Sequence, residues 1–82
     1  MNTDLHNYIE ELESTNPTDT AHFYRLIWLS GHILDLSDDE FADKFDTSLP
    51  AIRHWKNGKR APQPVMRKHV YAFLIKRAKE ML

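Results

Sequence analysis

Apolar residues recur at helical spacing along almost the whole chain. Leu5, Tyr8, Ile9 and Leu12 follow the i, i+3, i+4, i+7 pattern and predict a first helix near residues 3–14. The turn-rich stretch 14–19 then interrupts the pattern. A second helix is predicted over residues 20–34, and its expected inward positions are Phe23, Leu26, Ile27, Ile33 and Leu34.

Capping and breaking residues divide the second half of the chain into three further helices. Ser37 and Glu40 form a capping box that opens a short helix over residues 38–45, with Phe41, Ala42 and Phe45 inward. Ser48 caps a fourth helix, which ends at Asn57-Gly58. After a rigid loop, a last helix is predicted near 64–81, with an apolar stripe of Val65, Met66, Val70, Phe73, Leu74, Ala78 and Met81. The pattern therefore predicts an all-α domain of five helices.

The composition argues against several classes of protein. The 82 residues suffice for one domain, and the absence of cysteine excludes disulfides and thiolate zinc sites. The five histidines show no i, i+4 pairing, and no nucleophile is matched with a base, so we expect no enzyme, metal site or cofactor. The acidic N-terminus does not resemble a signal peptide, and no apolar run approaches the ~20 residues of a membrane span. We expect a cytoplasmic protein without a membrane partner.

The charges are distributed unevenly along the chain. Residues 1–46 carry eleven acids and two bases, a net charge of −9, whereas residues 47–82 carry nine bases and one acid, a net charge of +8. One interpretation is a basic face for an anionic partner and an acidic face turned away from it. The alternative is a mixture of solvated helix faces.

The third and fourth helices, joined by a short turn and followed by basic residues, match the helix-turn-helix pattern over residues 37–57. The run 36–45, Ser48, Ile52, Trp55, Asn57-Gly58 and Pro62 resembles the Cro/C1 (Xre-type) repressor family. The resemblance extends over about residues 24–80 and is strongest at 36–62. It implies a lambda-repressor-like helix-turn-helix domain over 20–82, to which residues 1–19 add an amphipathic helix and a linker. It also implies a sequence-specific transcriptional regulator that acts as a repressor.

The resemblance and the helical geometry together indicate a DNA-binding surface. If Ile52 points inward, the outer face of the recognition helix 49–57 carries Pro50, Arg53, His54 and Asn57. The family places base contacts in the first turns of this helix, and Arg53 can donate to O6 and N7 of guanine. Basic residues at and beyond the helix end suit phosphates. The predicted DNA-binding residues are Lys44, Ser48, Leu49, Pro50, Arg53, His54, Lys56, Asn57, Lys59 and Arg60.

The chain departs from the family at several positions. Asp38 occupies a position where members often carry a glutamine that helps to hold a phosphate, so we expect that contact to be lost. Asp35 and Asp46 occupy positions where glycine is usual, and aspartate tolerates the left-handed conformation better than most residues.

The expected partner is double-stranded DNA, bound by a homodimer on a two-fold symmetric operator. The alternative is a protein-interaction module on the same fold, such as an anti-activator or small regulator with little DNA binding. In that case the acidic N-terminal half would bind a basic partner. The first helix either packs on the domain or forms the dimer interface.

Overall fold

The chain folds into five α-helices within residues 3–82, the part described by this computed structural model, and that part contains no strand. The helices are α1 (Thr3–Ser14), α2 (Thr20–Ile33), α3 (Asp38–Lys44), α4 (Leu49–Lys56) and α5 (Pro64–Glu80). They form a compact body measuring 33 × 25 × 19 Å. The prediction of an all-α, five-helix chain is confirmed. Within residues 3–82, no helix is long and apolar enough to cross a membrane.

Short polar side chains determine where the helices begin. The Ser37 hydroxyl accepts a 3.1 Å hydrogen bond from the Glu40 amide, and Asp19 caps α2 in the same way through the His22 amide. These bonds satisfy N–H groups that have no partner in the first turn of a helix. The predicted capping box is only half formed, because the Glu40 carboxylate pairs with Arg77 of α5 rather than reaching back to residue 37.

A single hydrophobic core joins all five helices. α1 packs against α5 and α2. Its four predicted inward residues, Leu5, Tyr8, Ile9 and Leu12, are all buried. Of the two roles that the sequence leaves open for the first helix, packing on the rest of the chain is therefore the one observed. The fully buried residues at the centre include Tyr8 of α1 and, from the other helices, Phe23, Leu26, Ile27, Phe41, Ile52, Val70 and Leu74.

The predicted inner face of α5 is partly wrong. Val65 is 65% exposed, and Met66 and Met81 are exposed as well. The buried face is instead made of Arg67, Val70, Tyr71, Leu74 and Ala78, which keep the i, i+3, i+4, i+7, i+11 spacing of a helix face. The prediction followed apolar residue type, whereas the structure places the side chain of an arginine in the first buried position.

Arg67 is buried because its guanidinium finds acceptors in two loops. It donates to the backbone oxygens of Pro62 and Pro17 at 2.8 and 2.9 Å, and to the Thr20 hydroxyl at 3.3 Å. Its guanidinium also lies 5.5 Å from the centroid of the Phe23 ring. Arg67 thus connects the α1–α2 loop and the α4–α5 loop to α5.

Candidate functional site

The connection between α3 and α4 is a tight and well-defined turn. Asp46 takes the left-handed conformation expected for it, with φ of 50°, and the Thr47 amide donates to the Ala42 carbonyl at 2.9 Å. The Ser48 hydroxyl then accepts from the Ala51 amide at 3.2 Å and opens α4. Asp35, before α3, is also left-handed, with φ of 54°. These bonds determine the direction in which α4 leaves α3.

One side of α4 anchors it to the core. Ile52 is fully buried and Trp55 nearly so. The Trp55 ring makes edge-to-face contacts with Phe23 of α2 and Phe41 of α3, with centroid distances of 5.9 and 6.0 Å. Pro50, Arg53 and Asn57 are exposed on the opposite side. The face assignment predicted from Ile52 is confirmed for these residues, whereas His54 is half-buried.

The chain turns sharply at the end of α4. Gly58 has a φ of 78°, a conformation that strains residues with a side chain, and a β-carbon there would lie 3.6 Å from the Tyr24 ring. The amides of Lys59 and Arg60 both donate to the His54 carbonyl, at 3.0 and 3.4 Å. The two exposed cations are therefore held at the C-terminal end of α4, where the helix dipole favours positive charge.

The predicted site residues do not share one environment. Ser48, Pro50, Arg53, Asn57, Lys59 and Arg60 lie exposed along α4 and the turn that follows it. Leu49 is half-buried and packs against the core. Lys44, at the end of α3, is exposed but places its amine 5.4 Å from the centroid of the Phe73 ring of α5.

Lys56 is engaged within the molecule. Its amine donates to the Asp38 carboxylate at 2.5 Å, and its side chain is only 20% exposed. A β-carbon at Gly31 of α2 would lie 3.3 Å from this amine, so the glycine leaves room for the lysine to cross. The second oxygen of Asp38 lies 3.9 Å from Arg53 Nε, and the Arg53 side chain is 64% exposed. Asp38 thus connects the start of α3 to Arg53 and Lys56 of α4. These contacts join residues that are distant in sequence, so no local motif predicts them.

The uneven charge of the chain is partly neutralised by folding. Lys56, Arg77 and Lys79 from the basic half pair with Asp38, Glu40 and Glu13 from the acidic half. Arg67 is buried and bonded to loop oxygens. Within residues 3–82, Lys59 and Arg60 take part in no ion pair. Exposed cations outside these ion pairs therefore lie at the C-terminal turn of α4 (Lys59, Arg60), on α3 (Lys44) and on α5 (Lys68, Lys76).

A second candidate surface is formed mainly by α1 and α2, which belong to the acidic half of the chain. An open groove of about 700 Å³ between α1 and α2 has a lining that includes Leu29 and Ile33 of α2, and Met81 next to the C-terminus. It is also lined by the charged groups Asp4, Glu11 and Arg25 and by the imidazole of His32. The neighbouring Trp28 is 51% exposed and packs its ring against His32 at a centroid distance of 4.3 Å. The pattern of apolar residues does not predict this surface, because Trp28 lies within α2 and leaves the helical spacing of its buried residues undisturbed.

Comparisons of the chain with protein-family models, with curated proteins and with solved structures find no match. Among the residues that the structure describes, no group of three or more His, Asp and Glu side chains is placed to hold a metal ion.

Proposed function

We propose that the chain is a sequence-specific DNA-binding regulator of the Cro/C1 helix-turn-helix type, acting as a repressor. In this proposal α3 lies across the DNA backbone and α4 enters the major groove. Arg53 reads a base edge, while Lys59 and Arg60 bind phosphates. The protein acts as a homodimer on a two-fold symmetric site.

The observation that carries the proposal is the division of α4 into two sides. Ile52 and Trp55 hold one side against the core, and the opposite side projects free of packing with Arg53 exposed. Lys59 and Arg60, which form no ion pair within residues 3–82, follow immediately, and their backbone amides donate to the His54 carbonyl. An exposed helix side with a rigid anchor and adjacent free cations suits insertion into an anionic groove. Lys56 is left out of the proposed contacts because Asp38 already binds its amine.

Selection from a randomised duplex library tests this proposal and requires no candidate operator at the outset. The protein should enrich a defined, two-fold symmetric sequence, and fluorescence anisotropy should show tighter binding to that sequence than to a scrambled duplex. Arg53→Ala should lose ~1–3 kcal/mol on the selected duplex and much less on the scrambled one. Failure to enrich any sequence, with equal and weak binding to all duplexes, would overturn the proposal.

The second candidate is a protein-interaction module, and the groove between α1 and α2 is the observation that favours it. Trp28 is half exposed and packs against His32, which lines that groove, and a contiguous exposed apolar patch beside a groove is typical of a protein-binding surface. Of the two acidic groups of α1 that line the same groove, Glu11 pairs with Arg25, so Asp4 is the group that would favour a basic partner. Met81 lines the groove and is exposed, so Met81→Ser separates the candidates: it should leave DNA binding unchanged under the first proposal and weaken partner binding under the second.

A further inference from the structure

We propose that Asp38 is a specificity-determining residue that withholds Arg53 from phosphates and so suppresses binding to random DNA. The inference rests on the function proposed above, and it concerns a residue outside the predicted DNA-binding set. Asp38 acts from the first turn of α3, and it contacts α4 from the side rather than lying on it.

The two carboxylate oxygens of Asp38 have different partners. Oδ1 accepts from the largely buried Lys56 amine at 2.5 Å, which holds the carboxylate in place. Oδ2 then lies 3.9 Å from Nε of Arg53, the exposed cation of α4. The carboxylate is also favoured at the start of α3 by the positive end of that helix. A fixed negative charge therefore stands beside the guanidinium that would meet DNA.

The consequence differs between random and preferred DNA. On random DNA the ligands available to Arg53 are phosphates, and Asp38 both competes for the guanidinium and repels them. On a preferred site the two acceptors of a guanine replace Asp38 with matched geometry. Asp38 therefore weakens random binding more than preferred binding, and the ratio between them rises.

Asp38→Asn tests this inference, and Asp39→Asn is its matched control. Asparagine retains an acceptor for Lys56 but loses the charge. Asp39 is the next residue in the same helical turn, is exposed and has no ion pair among residues 3–82, so its replacement removes the same charge without freeing Arg53. Each protein is titrated by anisotropy with a scrambled duplex and with the duplex selected from the library, at several salt concentrations. Asp38→Ser is the second variant if the asparagine variant does not fold.

D38N should bind the scrambled duplex about three- to tenfold more tightly at low salt, with a log-affinity against log-salt slope steeper by ~0.9, as expected for one more phosphate contact. Affinity for the selected duplex should rise less, so the ratio falls. D39N should change both affinities by less than about twofold. In an Arg53→Ala background the effect of D38N should largely disappear, because the two residues act through each other.

Two kinds of failure are distinguishable. If D38N and D39N change binding alike, or if the effect of D38N persists without Arg53, the inference about Asp38 is overturned while DNA binding stands. If the wild-type protein shows no salt-dependent binding to any duplex, the proposed function fails and the inference fails with it. A thermal melt of each variant confirms that the proteins compared are folded.

Discussion

The Tyr8 hydroxyl donates a buried 2.7 Å hydrogen bond to the Leu26 carbonyl and so fastens α1 to α2 across 18 residues of sequence. Tyr71, on α5, presents the opposite case. Its hydroxyl is buried and finds no hydrogen-bond partner among residues 3–82. Replacing each tyrosine by phenylalanine therefore compares the loss of a hydrogen-bonded hydroxyl with the loss of an unpaired one.

Tyr8→Phe should lower the free energy of unfolding by ~1 kcal/mol, the usual net value of an intramolecular hydrogen bond. Tyr71→Phe should leave it unchanged or raise it by up to ~1 kcal/mol, because an unpaired buried hydroxyl is removed while the ring is kept. Urea unfolding of the three proteins measures both effects. A clear loss of stability in Tyr71→Phe would show that its hydroxyl has a partner after all.

Alkaline pH should destabilise the fold through these two tyrosines. Burial raises the pKa of Tyr71 from 10.0 to about 12, and burial also raises the pKa of Tyr8. A raised pKa in the folded state means that the unfolded chain releases its protons first. The stability is therefore complete below pH 10 and falls as the pH rises through 10 to 12, by ~1.4 kcal/mol per pH unit for each tyrosine. Urea unfolding at a series of pH values should show this slope, reduced in each Phe variant; an unchanged slope would contradict it.

Arg67→Met should lower stability by ~2–4 kcal/mol. The substitution keeps an apolar stem in the buried position but removes three hydrogen bonds from a charged donor, leaving the Pro17 and Pro62 oxygens without it. Lys68→Met, at the exposed neighbouring position, is the control and should change stability by less than ~0.5 kcal/mol. Equal effects in chemical unfolding would mean that the charge of α5, and not the loop contacts, matters.

Two valines of α5 test its corrected inner face. Val70 is fully buried, so Val70→Ala should lower stability by ~1.5–3 kcal/mol through lost burial and the cavity left behind. Val65 belongs to the stripe predicted from sequence but is exposed, and Val65→Ala should change stability by less than ~0.5 kcal/mol. Thermal or urea unfolding of the pair suffices. A large loss at Val65 would restore the face predicted from sequence.

The helix bounds were predictable because their signals are local. Ser37 and Ser48 lie at helix starts and accept hydrogen bonds three residues ahead, as their type and position indicate. Gly58, Asp35 and Asp46 occupy left-handed positions where a helix ends or a loop turns. Each predicted bound therefore lies within a residue or two of the observed one.

The remaining features depend on contacts between distant residues. The buried Arg67 donates to the Pro17 oxygen, 50 positions away in sequence, and Asp38 accepts from Lys56, 18 positions away. From residue type alone, Arg67 is expected to be exposed to solvent and Lys56 to bind DNA. Only the tertiary structure shows that both have partners within the chain. For the same reason the excess of bases after residue 47 overstates the charge available to an anionic partner, because several of those bases neutralise acids of the first half.

Under the proposed function, the salt dependence of DNA binding should distinguish the cations that follow α4 from cations elsewhere. Replacing Lys59 and Arg60 together by alanine should weaken binding to all duplexes alike and flatten the log-affinity against log-salt slope by ~1–2 units, at about 0.9 per lost phosphate contact. Their backbone amides would still donate to His54, so the end of α4 should keep its shape.

The matched control removes the same charge from the part of α5 that lies near α1. Lys68 lines a groove with Leu12 and Glu13 of α1, and Lys79 donates to Glu13 at 3.1 Å, so both lie near α1. Lys68→Ala combined with Lys79→Ala should change the slope by less than ~0.5 units, because neither side chain belongs to the proposed phosphate-contacting set. If the two double variants flatten the salt-dependence slope equally, DNA binding depends on the net charge of the protein alone. In that case α4 would have no privileged role in binding, however well its exposed side fits a groove.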